Sequence, residues 1–301
     1  MELWIPITIA AAFFQNVRTA LQKHLAKNLT TGGATYIRFL YGVPFAFIYI
    51  FGLHEVGNFP FYTPNLEFFT YVIIGGTTQI LATAFLVKLF SLRNFAVGTT
   101  YSKTETVQAA FIGLVLLGDS LSIPAIIAIA VSFVGIMLIS VSGGKLTLKE
   151  VMLGWTGKPA LYGLLSGGLF GVCAVCYRGA GLSLGGEGAI MQAATSIVWV
   201  LSFQSLIMTA YILIVERAQF MASLKAWRVA IWVGVFSLLG SIGWFTAMTL
   251  QNAAYVRAVG QIELIFTFAI SYFVFKERTT LVEFAGVMLI AVGILFLVLP
   301  F

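Results

Sequence analysis

The residues of this sequence that could do chemistry are charged and amide side chains set inside apolar stretches. The stretch NFAVGTTYSKTETVQAAFIGLVLLGD, Asn94 to Asp119, is long enough to cross a bilayer and carries Lys103 and Glu105 near its middle. A charge at the centre of a spanning helix costs roughly 2.5 to 3.5 kcal/mol on insertion scales, so it faces protein or water and marks a site by default. Arg18 stands equally deep in the first apolar run, and Arg257, Gln261 and Glu263 stand in a late one. Arg38 and Lys88 lie nearer helix ends, where a long basic side chain can snorkel. Deep cations thus outnumber deep carboxylates, and such a lining attracts an anion or the carboxylate end of a zwitterion.

Substrate contacts are expected from Asn16, Arg18, Arg38, Gln79, Tyr101, Lys103, Trp244, Arg257 and Gln261. Glu105 and Glu263 are expected either to carry protons, their affinity raised by apolar burial, or to neutralise bases in structural ion pairs. On an ideal helix Lys103 and Glu105 are about 200° apart, so they point to opposite sides and each needs a partner elsewhere.

Other chemistries find no support. Cys173 and Cys176 form a CxxC in an apolar, glycine-rich run without a βα context, and His24 and His54 lie apart near loops. Neither set makes a metal site, and the cysteines read as small residues in helix packing. No nucleophile with its base stands at membrane depth, and no GxxxxGK[ST] phosphate loop is present. The expectation is a chain that is not an enzyme, with no cofactor and no metal. The net charge of +6 is not a nucleic-acid signature, because Lys and Arg sit mostly in short loops, where they orient the chain.

The elements that position these residues follow from composition. Of the 301 residues 60% are hydrophobic and only 9% charged, far from the roughly 25% charged of a soluble domain. Ten helices are predicted, near 3–26, 33–52, 68–91, 95–117, 122–141, 160–179, 187–215, 227–251, 253–275 and 280–299. All should be helical, since a bilayer offers no partners to an open sheet edge. A shift of 158 positions lays Asn94 on Asn252, Glu105 on Glu263, Asp119 on Glu277 and Gly135 on Gly293. The polar break from Ser142 to Pro159 then separates a first five-helix repeat, 1–141, from a second, 160–301. Five helices per half give the repeats inverted topology. The fold class is all-α and integral to the membrane.

Basic residues crowd the loops after odd-numbered helices, whereas the even loops hold little beyond Arg178; the positive-inside rule makes the odd loops cytoplasmic and places both termini outside. Gly32-Gly33 before helix 2 is echoed by Gly185-Gly186 before helix 7. Gly163, Gly167 and Gly171, with Gly168 beside them, make a small-residue stripe on helix 6 that permits close packing or bending. Trp4, Trp155 and Trp227 fall where an interfacial belt is expected.

The segments YSKTETVQAAFIGLVLLGDSLS (Tyr101 to Ser122) and GQIELIFTFAISYFVFKERTT (Gly260 to Thr280) resemble the drug/metabolite transporter superfamily, EamA type. Arg38-Phe39 is similar to the family's Arg-Phe pair, and Gly118-Asp119-Ser120 and Lys276-Glu277-Arg278 stand where the family has a Gly-Glu-Arg-like turn. Thr106 and Leu264 replace the proline usual after the glutamate. The resemblance implies a cavity lined by helices 1 to 3 and 6 to 8 and braced by 4, 5, 9 and 10. It also implies a multi-pass protein of a bacterial inner membrane, acting as a monomer, whose partners are a small-molecule substrate and the lipid bilayer. Secondary transport of an anionic or zwitterionic metabolite is the reading this favours, with drug export as the alternative. A scaffold has little reason to keep Arg18, Lys103 and Arg257 in a bilayer, and a channel would favour rings of one charge.

Overall fold

The computed structural model describes residues 2–25, 28–92, 102–142, 158–186, 188–266 and 280–298. Among them run twelve helices: α1 Trp4–Leu25, α2 Thr31–Leu40, α3 Gly42–Glu55, α4 Leu66–Leu92, α5 Glu105–Leu117, α6 Ile123–Ser142, α7 Lys158–Ser183, α8 Ala189–Val215, α9 Arg217–Lys225, α10 Trp227–Leu250, α11 Ala253–Gly260 and α12 Leu281–Val298. Five helical stretches, Thr31–Glu55, Leu66–Leu86, Leu161–Ser183, Ala189–Val215 and Trp227–Leu250, are long and apolar enough to cross a membrane.

Within the described residues the expected helices reappear with three differences, while residues 95–101 of helix 4 and 267–275 of helix 9 lie outside them. Helix 2 is interrupted at Tyr41, between α2 and α3. Pro44 explains this: it has no N–H for the Leu40 carbonyl and its ring crowds that carbonyl. The loop expected after helix 7 contains α9, too short to show a period between two long apolar runs. Helices 4 and 9 are each interrupted, at Thr104 and Gln261, with nearly the same dihedrals of about −60° and −12°. These positions are one residue off equivalence in the two repeats. Gly260, a poor helix former, directly precedes the second interruption, whereas the first has no proline or glycine beside it.

The chain gathers into two compact units, one of residues 1–5, 78–175 and 251–301, the other of 6–77 and 176–250. Each draws on both sequence halves. The first holds predicted helices 4, 5, 9 and 10 and the second holds 1, 2, 7 and 8, while helices 3 and 6 are shared out between them.

In the first unit, α6 packs along α12. A Cβ on Gly135 would stand 2.6 Å from the carbonyl oxygen of Gly286, and one on Gly293 would stand 2.8 Å from that of Ala128. Ile290 is the other neighbour of Gly135, and Ser132, whose hydroxyl comes nearer still, is that of Gly293. The shift of 158 carries each residue of one set onto the other, so the contact is isologous in the manner of a two-fold dimer. The glycine stripe of α7 lies against the 102–117 segment: Cβ atoms on Gly167 and Gly171 would stand 2.7 Å from Thr104 Oγ1 and 3.0 Å from the Ala109 nitrogen. Close packing is therefore what the stripe does here, as small residues do between membrane helices. Asn252 caps α11 by accepting a 2.9 Å hydrogen bond from the Ala254 N–H.

In the second unit, Leu25, Leu29, Ala34, Ile37, Ala230 and Val233 form a buried apolar cluster joining α1, α2 and α10. Thr30 caps α2 by accepting from the Gly33 N–H at 3.1 Å and itself donates to Glu216. Gly32 and Gly33 lie inside the first turn of α2, whereas Gly185 and Gly186 take left-handed φ of +66° and +74°. The sequence echo between these pairs is thus not a structural one. The first pair makes room for the side chains of Glu216 and Gln219. The second reverses the chain. Cys173 and Cys176 are buried and not joined in a disulfide, each in its own unit.

Candidate functional site

The first unit assembles Lys103, Glu105, Arg257, Gln261 and Glu263. Lys103 Nζ donates to Glu263 Oε1, and Arg257 Nη1 lies 3.7 Å from Glu105 Oε1. Gln261 Nε2 donates to Thr106 Oγ1 at 3.0 Å. All four charged side chains are largely buried, between 11% and 15% exposed. Each glutamate is therefore held by a base from the opposite repeat. Lys103 and its repeat counterpart Gln261 both reach across to the other half.

The opposed directions predicted for Lys103 and Glu105 are not found, since both find partners on the same segment, 253–266. The turn at Thr104 falls between them and removes the ideal-helix premise. Gln79 lies half-buried in α4, in the same unit. Tyr101 lies outside the described residues.

The second unit holds Asn16, Arg18, Arg38 and Trp244. Trp244 is buried on α10 and its Nε1–H donates to Gln15 Oε1 at 3.1 Å. Gln15 and Arg18 stand three apart on α1, hence on one face. Arg18 is half-buried seven residues short of the end of α1, and makes no hydrogen bond or ion pair among the described residues. Its guanidinium feels the like charge of Arg38. Arg38 in turn sits 5.2 Å from the ring centroid of Phe39.

Other expectations shift. Trp4 is buried, with its Nε1–H turned to the Glu2 carboxylate, so it is no belt residue. Trp227 is exposed and Trp155 lies outside the described residues. Arg178 is not a loop residue: it lies within α7 and donates to the Met248 carbonyl at 2.9 Å.

Sequence reasoning missed a buried polar set in the second unit. Gln204 Nε2 donates to the Gly76 carbonyl at 3.2 Å and to the Tyr177 hydroxyl at 3.3 Å, and that hydroxyl donates to the Gly75 carbonyl. The Gln204 amide in the middle of the apolar run of α8 was the available signal. Among the described residues no group of three His, Cys, Asp or Glu could hold a metal.

Helices of this length and apolarity, with buried charges between two related halves, define an integral membrane protein of the transporter class. The model of the EamA-like transporter family matches residues 2–141 and 158–299, and the chain belongs to that family of the drug/metabolite transporter superfamily. A solved crystal structure, described only as that of a protein, is 12% identical, covers 97% of this chain and 95% of its own, and superposes with a TM-score of 0.68. At that identity it shows the fold alone. No curated protein matches.

Proposed function

We propose that this membrane transporter is a secondary active one, moving a small anionic or zwitterionic metabolite, such as an amino acid, an organic acid or a sugar phosphate, by alternating access. Arg18 carries this reading. A half-buried guanidinium seven residues inside the end of α1, beside a second cation and without a hydrogen-bond or ion-pair partner among the described residues, is costly unless an anion visits it. Asn16, Arg38 and Trp244 share its unit and supply further polar and aromatic contacts. Lys103 and Arg257, by contrast, are engaged by Glu263 and Glu105. Those pairs are the candidates for coupling, because a carboxylate that trades its base for a proton during the cycle would link the gradient to movement. Exchange against internal substrate is the other coupling mode this arrangement serves.

A thermal-shift screen of amino acids, organic acids and sugar phosphates on purified protein tests the proposal. A ligand at 100 times its Kd stabilises by about 2.7 kcal/mol. Anionic or zwitterionic hits are expected, lost in Arg18→Gln and partly kept in Arg18→Lys, with saturable uptake of the same compounds into proteoliposomes. Exclusively cationic hits overturn it.

A further inference from the structure

A cavity of about 440 Å³ opens in the second unit where α1 ends and α9 turns into α10. His24, Asn28, Lys225, Trp227 and Arg228 line it together with the apolar Leu25, Ala226 and Val229. Among the described residues that line it, none is a carboxylate. Two of them are permanent cations, and the Asn28 amide and the His24 imidazole add hydrogen-bonding groups. We propose that this cavity binds the phosphodiester headgroup of an anionic glycerophospholipid.

Three observations converge on that ligand. First, the cavity is built on a packed floor. Leu25 is only 5% exposed and belongs to the buried cluster with Leu29, Ala34, Ile37, Ala230 and Val233, against which Ala226 and Val229 pack. The Tyr41 hydroxyl donates to the Ser223 carbonyl at 3.3 Å and so ties α9 to the α2–α3 turn. The backbone that carries the basic groups is thus fixed, and only their exposed side chains have to be ordered to receive an anion.

Second, its depth matches a headgroup. Trp227 opens α10, is 54% exposed, and carries the Arg228 guanidinium 5.7 Å from its ring centroid. Exposed tryptophan with arginine at the end of a spanning helix is the composition of the membrane–water boundary. Third, chemistry is graded across the cavity. Lys225, Arg228, His24 and Asn28 offer charge and hydrogen bonds, whereas Leu25 and Val229 offer an apolar wall. Phosphate alone would use only the first set; a lipid uses both. Basic pockets at the cytoplasmic ends of spanning helices recognise anionic headgroups in this way, and the loop-charge reading assigns this end to the cytoplasm.

The test uses the full-length protein in a neutral detergent and reads its thermal unfolding midpoint while a short-chain phosphatidylglycerol, a phosphatidylcholine of equal chain length, or inorganic phosphate is titrated. Phosphatidylglycerol should raise the midpoint of wild type saturably, and Lys225→Gln/Arg228→Gln should weaken its apparent affinity about tenfold or more. Lys225→Arg/Arg228→Lys, which keeps both charges, should restore most of it. Lys158→Gln, an exposed base in the other unit, should leave it unchanged. Equal responses to phosphatidylcholine, or equal losses in the Lys158 variant, would overturn the site. Inorganic phosphate matching the lipid at equal concentration would overturn the lipid as its source. The readout is stability rather than flux, so the outcome is independent of what the protein carries.

Discussion

Lys103 and Glu263 are paired across the two repeats, each about 15% exposed in its side chain. Neither partner has much water to fall back on. Removing one member of such a pair strands a buried charge, at a cost of about 3–5 kcal/mol, whereas removing both leaves no charge to strand. Lys103→Gln and Glu263→Gln should therefore each destabilise by that amount, while the double variant should lie well short of the sum. Unfolding of the four proteins of the cycle in detergent, followed by helical signal, measures the coupling. Additive losses would show that the pair contributes nothing as a pair.

The glutamates also give a functional prediction. Glu105 and Glu263 are the carboxylates held by Arg257 and Lys103. If they carry the coupling proton, Glu105→Gln and Glu263→Gln should reduce uptake driven by a pH gradient to the level of empty liposomes while counterflow of preloaded substrate continues. Full pH-driven uptake in both variants would confine the two carboxylates to a structural role.

Gly135 and Gly293 yield a symmetric prediction. Each lies under 3 Å, measured from the Cβ it lacks, from a backbone carbonyl of the opposite helix. Backbone cannot step aside as a flexible side chain can. Gly135→Val and Gly293→Val should each lower stability by about 1–3 kcal/mol, the usual cost of overpacking, and by similar amounts. Gly52 meets nothing within 4 Å, so Gly52→Ala should be neutral or stabilising. Thermal unfolding of the three variants distinguishes these outcomes.

The spans and the repeat were legible because they rest on long-range composition and on a shift that few accidents produce. Glu105 and Glu263 stood out as charges in apolar runs and as counterparts under the 158-residue shift. The partners were not legible. Nothing in the order of residues says that Lys103 reaches Glu263 rather than a group on its own repeat, because pairing is decided by which helices pack. The turns at Thr104 and Gln261 were hidden for a different reason: each lies within a long apolar run, and the length of the run rather than its local Ser, Thr and Gly content set the helix prediction. By contrast, the Tyr41 interruption was readable, since Pro44 is in plain view. The Tyr177 and Gln204 pair escaped notice because each looks like an isolated polar residue until the fold brings them together.

Sidedness gives the last prediction. Bases concentrated in the odd-numbered loops imply that the α8–α9–α10 connection faces the cytoplasm, and that the α3–α4 connection faces outward. Met221 on α9 is 55% exposed and Val56 after α3 is 85% exposed, so a cysteine at either position can be reached by a reagent without unfolding. Cys173 and Cys176 are almost fully buried and should contribute little background. In intact cells a membrane-impermeant maleimide should label Val56→Cys but not Met221→Cys, and permeabilisation should expose the second. The reverse pattern would place the termini inside, the habit of the family that the sequence resembles, and would move the basic cavity beside Trp227 to the outer surface. Labelling of both positions in intact cells would instead indicate molecules inserted in both orientations, against the lopsided loop charge.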